Sequence, residues 1–142
     1  TLIVLADGLN KVGFVGWFGQ GAASLLAGLS PGLVMILLVA IFFLIHYMFA
    51  SITAHTTAVL PVILAAGIAV PDMPVRTFAL LLAYTLGIMG VLTPYATGPA
   101  PVYYGSGFIA RKDFWRLGFI FGMLFLVTIL ALVRPWLGFL AP

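Results

Sequence analysis

The 142-residue chain has no cysteine, no glutamate and very little charge of either sign. Without cysteine there is no disulfide framework, thiolate nucleophile or iron–sulfur site, and the redox compartment cannot be read. The three acids, Asp7, Asp72 and Asp113, are scattered, so a carboxylate pair or a metal site has no support. No phosphate-binding glycine loop appears either. Charged residues make up 6% and hydrophobic residues 64%, with a mean hydropathy of +1.28. A soluble domain is about a quarter charged. This chain cannot cover a water-facing surface, which excludes a cytosolic enzyme, a nucleic-acid binder and a disordered chain. The high isoelectric point rests on six basic residues and is no nucleic-acid signal.

What is present is long apolar sequence. Between Lys11 and Asp72 about sixty residues pass without a charge. A spanning helix needs roughly twenty apolar residues, so several membrane segments must fit there. The first residue is Thr1 and TLIVLADG starts in mid-pattern, with no basic n-region or cleavage site of a signal peptide. The chain is therefore expected to be the C-terminal piece of a longer polytopic membrane protein.

Leu2 to Leu9 reads as the end of an apolar helix. Asn10 to Leu29 is glycine-rich, with Lys11, Phe14, Trp17 and Phe18, and suits the headgroup level or a bend between helices. Gly13, Gly16 and Gly19 are expected to allow close helix approach. Ser30-Pro31 is a helix start, with serine at the N-cap and proline at the first position. An apolar helix follows over Leu33 to Ala50, stops at SITAHTT (Ser51–Thr57) and resumes from Ala58 to Gly67. The second arm, from Thr57 to Ala69, offers on the order of 20 Å, less than a bilayer core. A long arm, a polar tip and a short arm predict a re-entrant helical hairpin over 31–69.

Pro71 and Pro74 bound a loop. A helix from Val75 to Leu92 ends at TPYATGPAP (Thr93–Pro101), where three prolines and a glycine within nine residues cannot continue it. Val102 to Ala110 is expected to complete the same crossing, giving a discontinuous helix over 75–110. Arg111-Lys112-Asp113 reads as a surface loop, and the last membrane helix as 114–136. The basic cluster of Arg111, Lys112 and Arg116 puts that loop in the cytoplasm, with Arg76 and Arg134 outside. FIFGMLF (Phe119–Phe125) reads as lipid-facing or packing surface.

Two clusters of hydroxyls and free backbone stand out: the tip, including Ala50 and Ala54, and the break, including Pro94, Ala96, Gly98 and Pro99. Helix termini at membrane depth attract ions of either sign. Discontinuous helices meeting at the midplane are the site architecture of secondary transporters. Ser51, Thr53 and Thr97 are the candidates to read a carboxylate, because hydroxyls donate to oxyanions without burying a lysine. The alternative for each is a bond back to a carbonyl one turn earlier. His55 would add positive charge beside the anion if protonated, or act as a base for Ser51, though no acid orients it. His46 reads as a bonded core histidine or a proton-coupled group. Besides transport, the sequence leaves open a structural subunit of a membrane complex and an intramembrane hydrolase.

SITAHTTAVLPV (Ser51–Val62) and TPYATGPAPVYYGSGFI (Thr93–Ile109) resemble the divalent anion/sodium symporter family, closest to its bacterial citrate/succinate antiporter and 2-oxoglutarate/malate translocator branch. The resemblance runs along the whole chain, including ADGLNKVGFVGWFG. It implies an all-α, inverted-repeat, elevator-type homodimer in the bacterial inner membrane, carrying di- or tricarboxylates. Residues 1–30 would be the end of a scaffold helix and an interfacial connecting helix. Residues 31–142 would be the second half of the transport domain, with the first hairpin and half of the substrate site in a missing N-terminal half. Ser51 and Thr53 match the Ser and Thr of the family's tip motif, and Thr97 its broken-helix threonine. Ala50 and Ala96 stand where backbone carbonyls hold a second sodium. The motif's asparagine is Ile52 here, whose side chain ligates neither sodium nor carboxylate. The resemblance therefore implies anion exchange with no cofactor, with sodium-coupled symport as the alternative.

Overall fold

The computed structural model describes Val4, Gly8, residues 11–26 and residues 28–140. The expectations for Asp7 and for most of Leu2–Leu9 lie outside these residues. Every regular element among the described residues is helical: α1 (Phe14–Leu25), α2 (Pro31–Leu44), α3 (Ile52–Ile68), α4 (Val75–Ile88), α5 (Ala100–Gly105), α6 (Arg111–Thr128) and α7 (Arg134–Leu140).

α2 begins as its sequence dictates. The Ser30 hydroxyl accepts from the Leu33 N–H at 3.3 Å, and Pro31 takes the first position. The helix is apolar on every side, so its own pattern does not choose a buried face. Packing against α3 and α4 does, burying Val34, Met35, Leu38, Val39, Phe42 and Phe43 at three- and four-residue spacing. A 3₁₀ turn over Ile45–Met48 tightens its end, and the chain reverses through Phe49–Ser51. α3 then returns along α2, and α1 packs along α3.

The second arm starts at Ile52, six residues before the expected Ala58. Ser51 explains the difference, because it caps the helix and lets the polar run TAHTT be helical. Its side chain accepts from Ala54 N–H at 3.4 Å, and its carbonyl accepts from His55 N–H at 3.0 Å. Thr56 and Thr57 donate to the carbonyls of Ile52 and Thr53, both at 2.8 Å, so their hydroxyls need no turn. The arm has 17 residues, or about 25 Å at 1.5 Å per residue. Gly67 lets α3 and α4 close together, since the Phe78 ring occupies the space a Cβ there would need.

α4 passes into a 3₁₀ turn over Met89–Val91 and ends at the expected break. Beyond it the helix α5 covers only Ala100–Gly105, shorter than the stretch expected to finish the crossing. Ser106–Ala110 is non-helical, with Gly107 at a φ of +78°.

The Arg111-Lys112-Asp113 loop is corrected. These residues are the first turn of α6, and Asp113 there complements the helix dipole. The helical run continues to Leu140 through a π-turn over Ile129–Val133. Pro135, two residues further on, lacks an N–H and its ring would clash with the carbonyl four residues back; Arg134 N–H reaches Ile129 O in the widened turn.

Among the described residues two helical stretches, Pro31–Met48 and Arg111–Leu140, are long and apolar enough to cross a membrane. The second keeps Phe119, Phe121, Leu124, Val127 and Leu132 exposed, as a lipid-facing surface would. Gly118 and Gly122 lie on its opposite face and are buried. A Cβ at Gly118 would stand 2.8 Å from the Val91 carbonyl oxygen and 3.0 Å from that of Leu92. A Cβ at Gly122 would meet the Leu92 side chain. This small-residue face holds α6 against the backbone of the break. Of the glycines expected to serve that purpose, Gly13 and Gly16 make no such approach among the described residues, since Cβ atoms there would meet nothing within 4 Å. The surroundings of Gly19 lie outside the described residues.

Candidate functional site

The hairpin tip and the break meet. Ala50, Ser51, Ile52 and Thr53 from the tip, with Tyr95, Ala96, Thr97, Gly98 and Pro101 from the break, line one cavity of about 590 Å³. Three hydroxyl residues singled out from sequence, Ser51, Thr53 and Thr97, thus share one space. Among the described residues the cavity has no acidic or basic lining side chain.

Its polar character comes from hydroxyls and a helix end. α3 points its N-terminus at the cavity, and the N–H groups of Ile52 and Thr53, in its first turn, have no carbonyl partner within the helix. Ser51 Oγ accepts from Ala54 N–H, which leaves its own proton free to donate outward. The hydroxyls of Thr53 and Thr97 have no hydrogen bond within the described residues, unlike those of Thr56 and Thr57. The alternative of a bond back to the helix therefore holds for residues one turn further in, not for the two threonines at the cavity. Such an array suits an oxyanion: N–H and O–H donors, a positive helix end and no competing carboxylate.

Sequence reasoning passed over Tyr95. Its hydroxyl donates to Tyr47 O at 2.8 Å, tying the break to the 3₁₀ turn at the end of α2. It is the single aromatic of the break, the one signal that could have marked it. Thr93 was passed over too. It is fully buried and its hydroxyl has no partner.

His55 is not part of the cavity lining. It is fully buried, with its ring edge-on to Phe42 at 4.5 Å and to Phe49 and His46 at 5.1 Å between centroids. His46 is fully buried as well, and none of the four ring nitrogens has a hydrogen-bond partner among the described residues. His46 is therefore not the bonded core histidine expected. The Ser51 hydroxyl has no hydrogen bond to His55, so no nucleophile–base pair is formed. Ala54, Pro94 and Pro99 also do not line the cavity, and Pro94 is buried.

The model of the sodium:sulfate symporter transmembrane region matches residues 1–141. The chain belongs to the divalent anion/sodium symporter family. It is 47% identical over 137 residues to the L-tartrate/succinate antiporters of Escherichia coli (strain K12), Shigella boydii serotype 4 (strain Sb227) and Shigella sonnei (strain Ss046). These alignments cover 96% of this chain and 28% of each relative. The chain thus spans a little over a quarter of the length of the curated relatives it matches.

Within this family member, Ile52 and Thr97 share a neighbour. Gly90 lies in the 3₁₀ turn ahead of the break, and a Cβ there would stand 2.5 Å from Thr97 Cγ2 and 3.3 Å from Ile52 Cδ1. The absent side chain at Gly90 lets both residues sit where they do. The Ile52 side chain presents its Cδ1 methyl group to this corner.

Proposed function

We propose that this chain supplies half of the substrate site of a bacterial inner-membrane carrier that exchanges dicarboxylates. The observation that carries the reading is the cavity in which the N-terminus of α3 and the hydroxyls of Ser51 and Thr53 face Thr97. The relatives named as L-tartrate/succinate antiporters support the substrate class and the exchange mode.

In this reading one carboxylate of the substrate accepts hydrogen bonds from Ser51, Thr53 and Thr97. Each bond to a charged acceptor contributes about 1.5–3 kcal/mol. The second carboxylate is met by the complementary half-site in an N-terminal half of the same protein. α2 and α3 act as a re-entrant hairpin, α4 and α5 as a discontinuous helix, and α6 with α7 as the terminal crossing. The whole moves as an elevator within a homodimer, with the Arg111–Lys112 end of α6 cytoplasmic. Positive potential at the cavity comes from the α3 helix end rather than from His55, which lies behind the aromatic rings.

The exchange mode follows from Ile52. A resident sodium would offset the charge of a dianion, and an isoleucine side chain offers it no ligand. An obligate exchanger needs no ion gradient, because the empty carrier does not return. Sodium-coupled symport is the second reading, favoured by one observation: Ala50 and Ala96, whose carbonyls would hold the ion, both line the same cavity. Proteoliposomes of the complete transporter, loaded with succinate or left empty, separate the two. Uptake of labelled tartrate or succinate that needs internal dicarboxylate and is equal in sodium and potassium supports exchange. Uptake into empty liposomes that requires sodium establishes symport.

A further inference from the structure

Another cavity lies at the opposite end of the bundle from the hairpin tip. It measures about 320 Å³, its walls are largely apolar (Gly32, Met35, Pro74, Pro135 and Gly138), and Thr77 and Arg134 are its polar side chains. Three chain segments converge there. Gly32 belongs to the first turn of α2, Pro74 and Thr77 to the start of α4, and Arg134 opens α7. Both α2 and α4 have 14 residues, so each presents a developed positive end.

The α4 end lacks a cap. Pro74 occupies the N-cap position and makes no side-chain capping bond, and the first helical bond is Phe78 N–H to Pro74 O. The N–H groups of Val75, Arg76 and Thr77 are thus left without helical acceptors. Thr77 is 7% exposed, and its hydroxyl has no hydrogen bond among the described residues. It stands apart from Thr56, Thr57, Thr85 and Thr128, each of which donates to a carbonyl three or four residues back. The side chain is more than nine-tenths buried, and its unpaired hydroxyl borders the cavity, where it is open to a ligand.

The cations point the same way. A Cβ at Gly32 would stand 2.7 Å from Arg134 Nη2, so the guanidinium lies against the positive end of α2. Arg76 sits in the first turn of α4. Guanidinium groups beside helix N-termini repel them, and neither arginine pairs with a carboxylate among the described residues. Asp72, the acid nearest in sequence, borders a different cavity on the far side of Pro31. An anion between Arg134, Thr77 and the two helix ends would turn this repulsion into attraction. The guanidinium fork suits an oxyanion with several acceptor oxygens. Trp136 and Phe139, on the same helix as Arg134, are exposed, as side chains at the headgroup level are.

We propose that this cavity binds a phosphate group, held by the Arg134 guanidinium, the Thr77 hydroxyl and the first-turn N–H groups of α4. The same chemistry is offered by a phospholipid headgroup and by free phosphate. The test is thermal melting of the delipidated complete transporter with dioctanoyl-phosphatidylglycerol, with dioctanoylglycerol, with inorganic phosphate and with succinate. A rise of about 2–4 °C with phosphatidylglycerol, absent with dioctanoylglycerol, assigns a headgroup site. An equal rise with inorganic phosphate assigns a free-phosphate site. In Arg134→Gln the rise disappears while the rise with succinate persists, and Thr77→Val, which keeps the shape of the side chain, reduces it. Equal shifts with phosphatidylglycerol and dioctanoylglycerol and none with phosphate overturn the proposal for the wild-type protein, whether or not the variants fold. A phosphate response that survives Arg134→Gln, or a succinate response that needs Arg134, overturns it too.

Discussion

The methyl group of Thr97 rests against the bare backbone of Gly90, so close that a Cβ on Gly90 would stand 2.5 Å from it. This contact sets the position of the break relative to the turn before it. It also fixes where the Thr97 hydroxyl can point. Gly90→Ala therefore acts on the site without touching any hydroxyl. Overpacking of this kind costs about 1–3 kcal/mol. The expected outcome is a KM for dicarboxylate raised roughly tenfold, since 1.4 kcal/mol corresponds to one decade. Uptake kinetics in proteoliposomes check it, and an unchanged KM contradicts the placement of Thr97.

Thr97→Val keeps the packing against Gly90 and removes only the hydroxyl. Loss of one hydrogen bond to a carboxylate is worth about 1.5–3 kcal/mol, a weakening of roughly tenfold to a hundredfold. Thr97→Ser should retain most of the affinity. Ser51→Ala should weaken binding similarly and also lower the melting temperature, because the same oxygen caps α3 at a worth of about 0.5–2 kcal/mol. Calorimetric titration of the complete transporter with succinate, beside a melting curve, separates the two effects.

Much of this site was legible because it interrupts an apolar background. TPYATGPAP cannot be helical, and the structure breaks there. The tip was located correctly, but its polar run was read as a gap. Thr56 and Thr57 satisfy their hydroxyls within the helix and Ser51 caps it, so polarity alone did not mean loss of helix. His55 shows the same limit. Its spacing of four from Ser51 suggested a shared face, yet Ser51 is the extended N-cap residue with its side chain turned to Ala54 N–H, while His55 lies within the helix and packs among Phe42, Phe49 and His46. The loop at Arg111–Asp113 was misread because charge was equated with coil, whereas an acid in the first turn favours a helix start. The roles of Gly90 and Gly118 could not be seen from the chain, since each depends on a partner far along it or across the break.

Gly118→Val drives a side chain toward the Val91 and Leu92 carbonyls, which are backbone atoms that cannot rotate away. The break must shift, at a cost of about 1–3 kcal/mol or more. The prediction is a lower melting temperature together with loss of uptake. The same substitution at Gly105, where a Cβ would meet nothing within 4 Å, should leave stability nearly unchanged.

Ile52→Asn places an oxygen ligand at the cavity edge, beside Ala50 and Ala96. In this variant sodium should stimulate uptake where potassium does not, and the wild type should show no difference. Sodium stimulation of equal size in both proteins would remove Ile52 from the account.

The most direct measurement asks whether the tip and the break enclose the bound anion. The segment has no cysteine, so a single reporter can be placed in it. Gly98→Cys is suited to this, because Gly98 lines the cavity and a Cβ there would meet nothing within 4 Å. In the complete transporter, with cysteines elsewhere replaced, the rate of alkylation by a small maleimide is measured with and without succinate. Succinate is predicted to slow labelling at position 98 in proportion to its occupancy and to leave a Ser106→Cys control unchanged. Labelling at position 98 that is indifferent to saturating succinate, in a protein that still transports it, would contradict the assignment of this cavity.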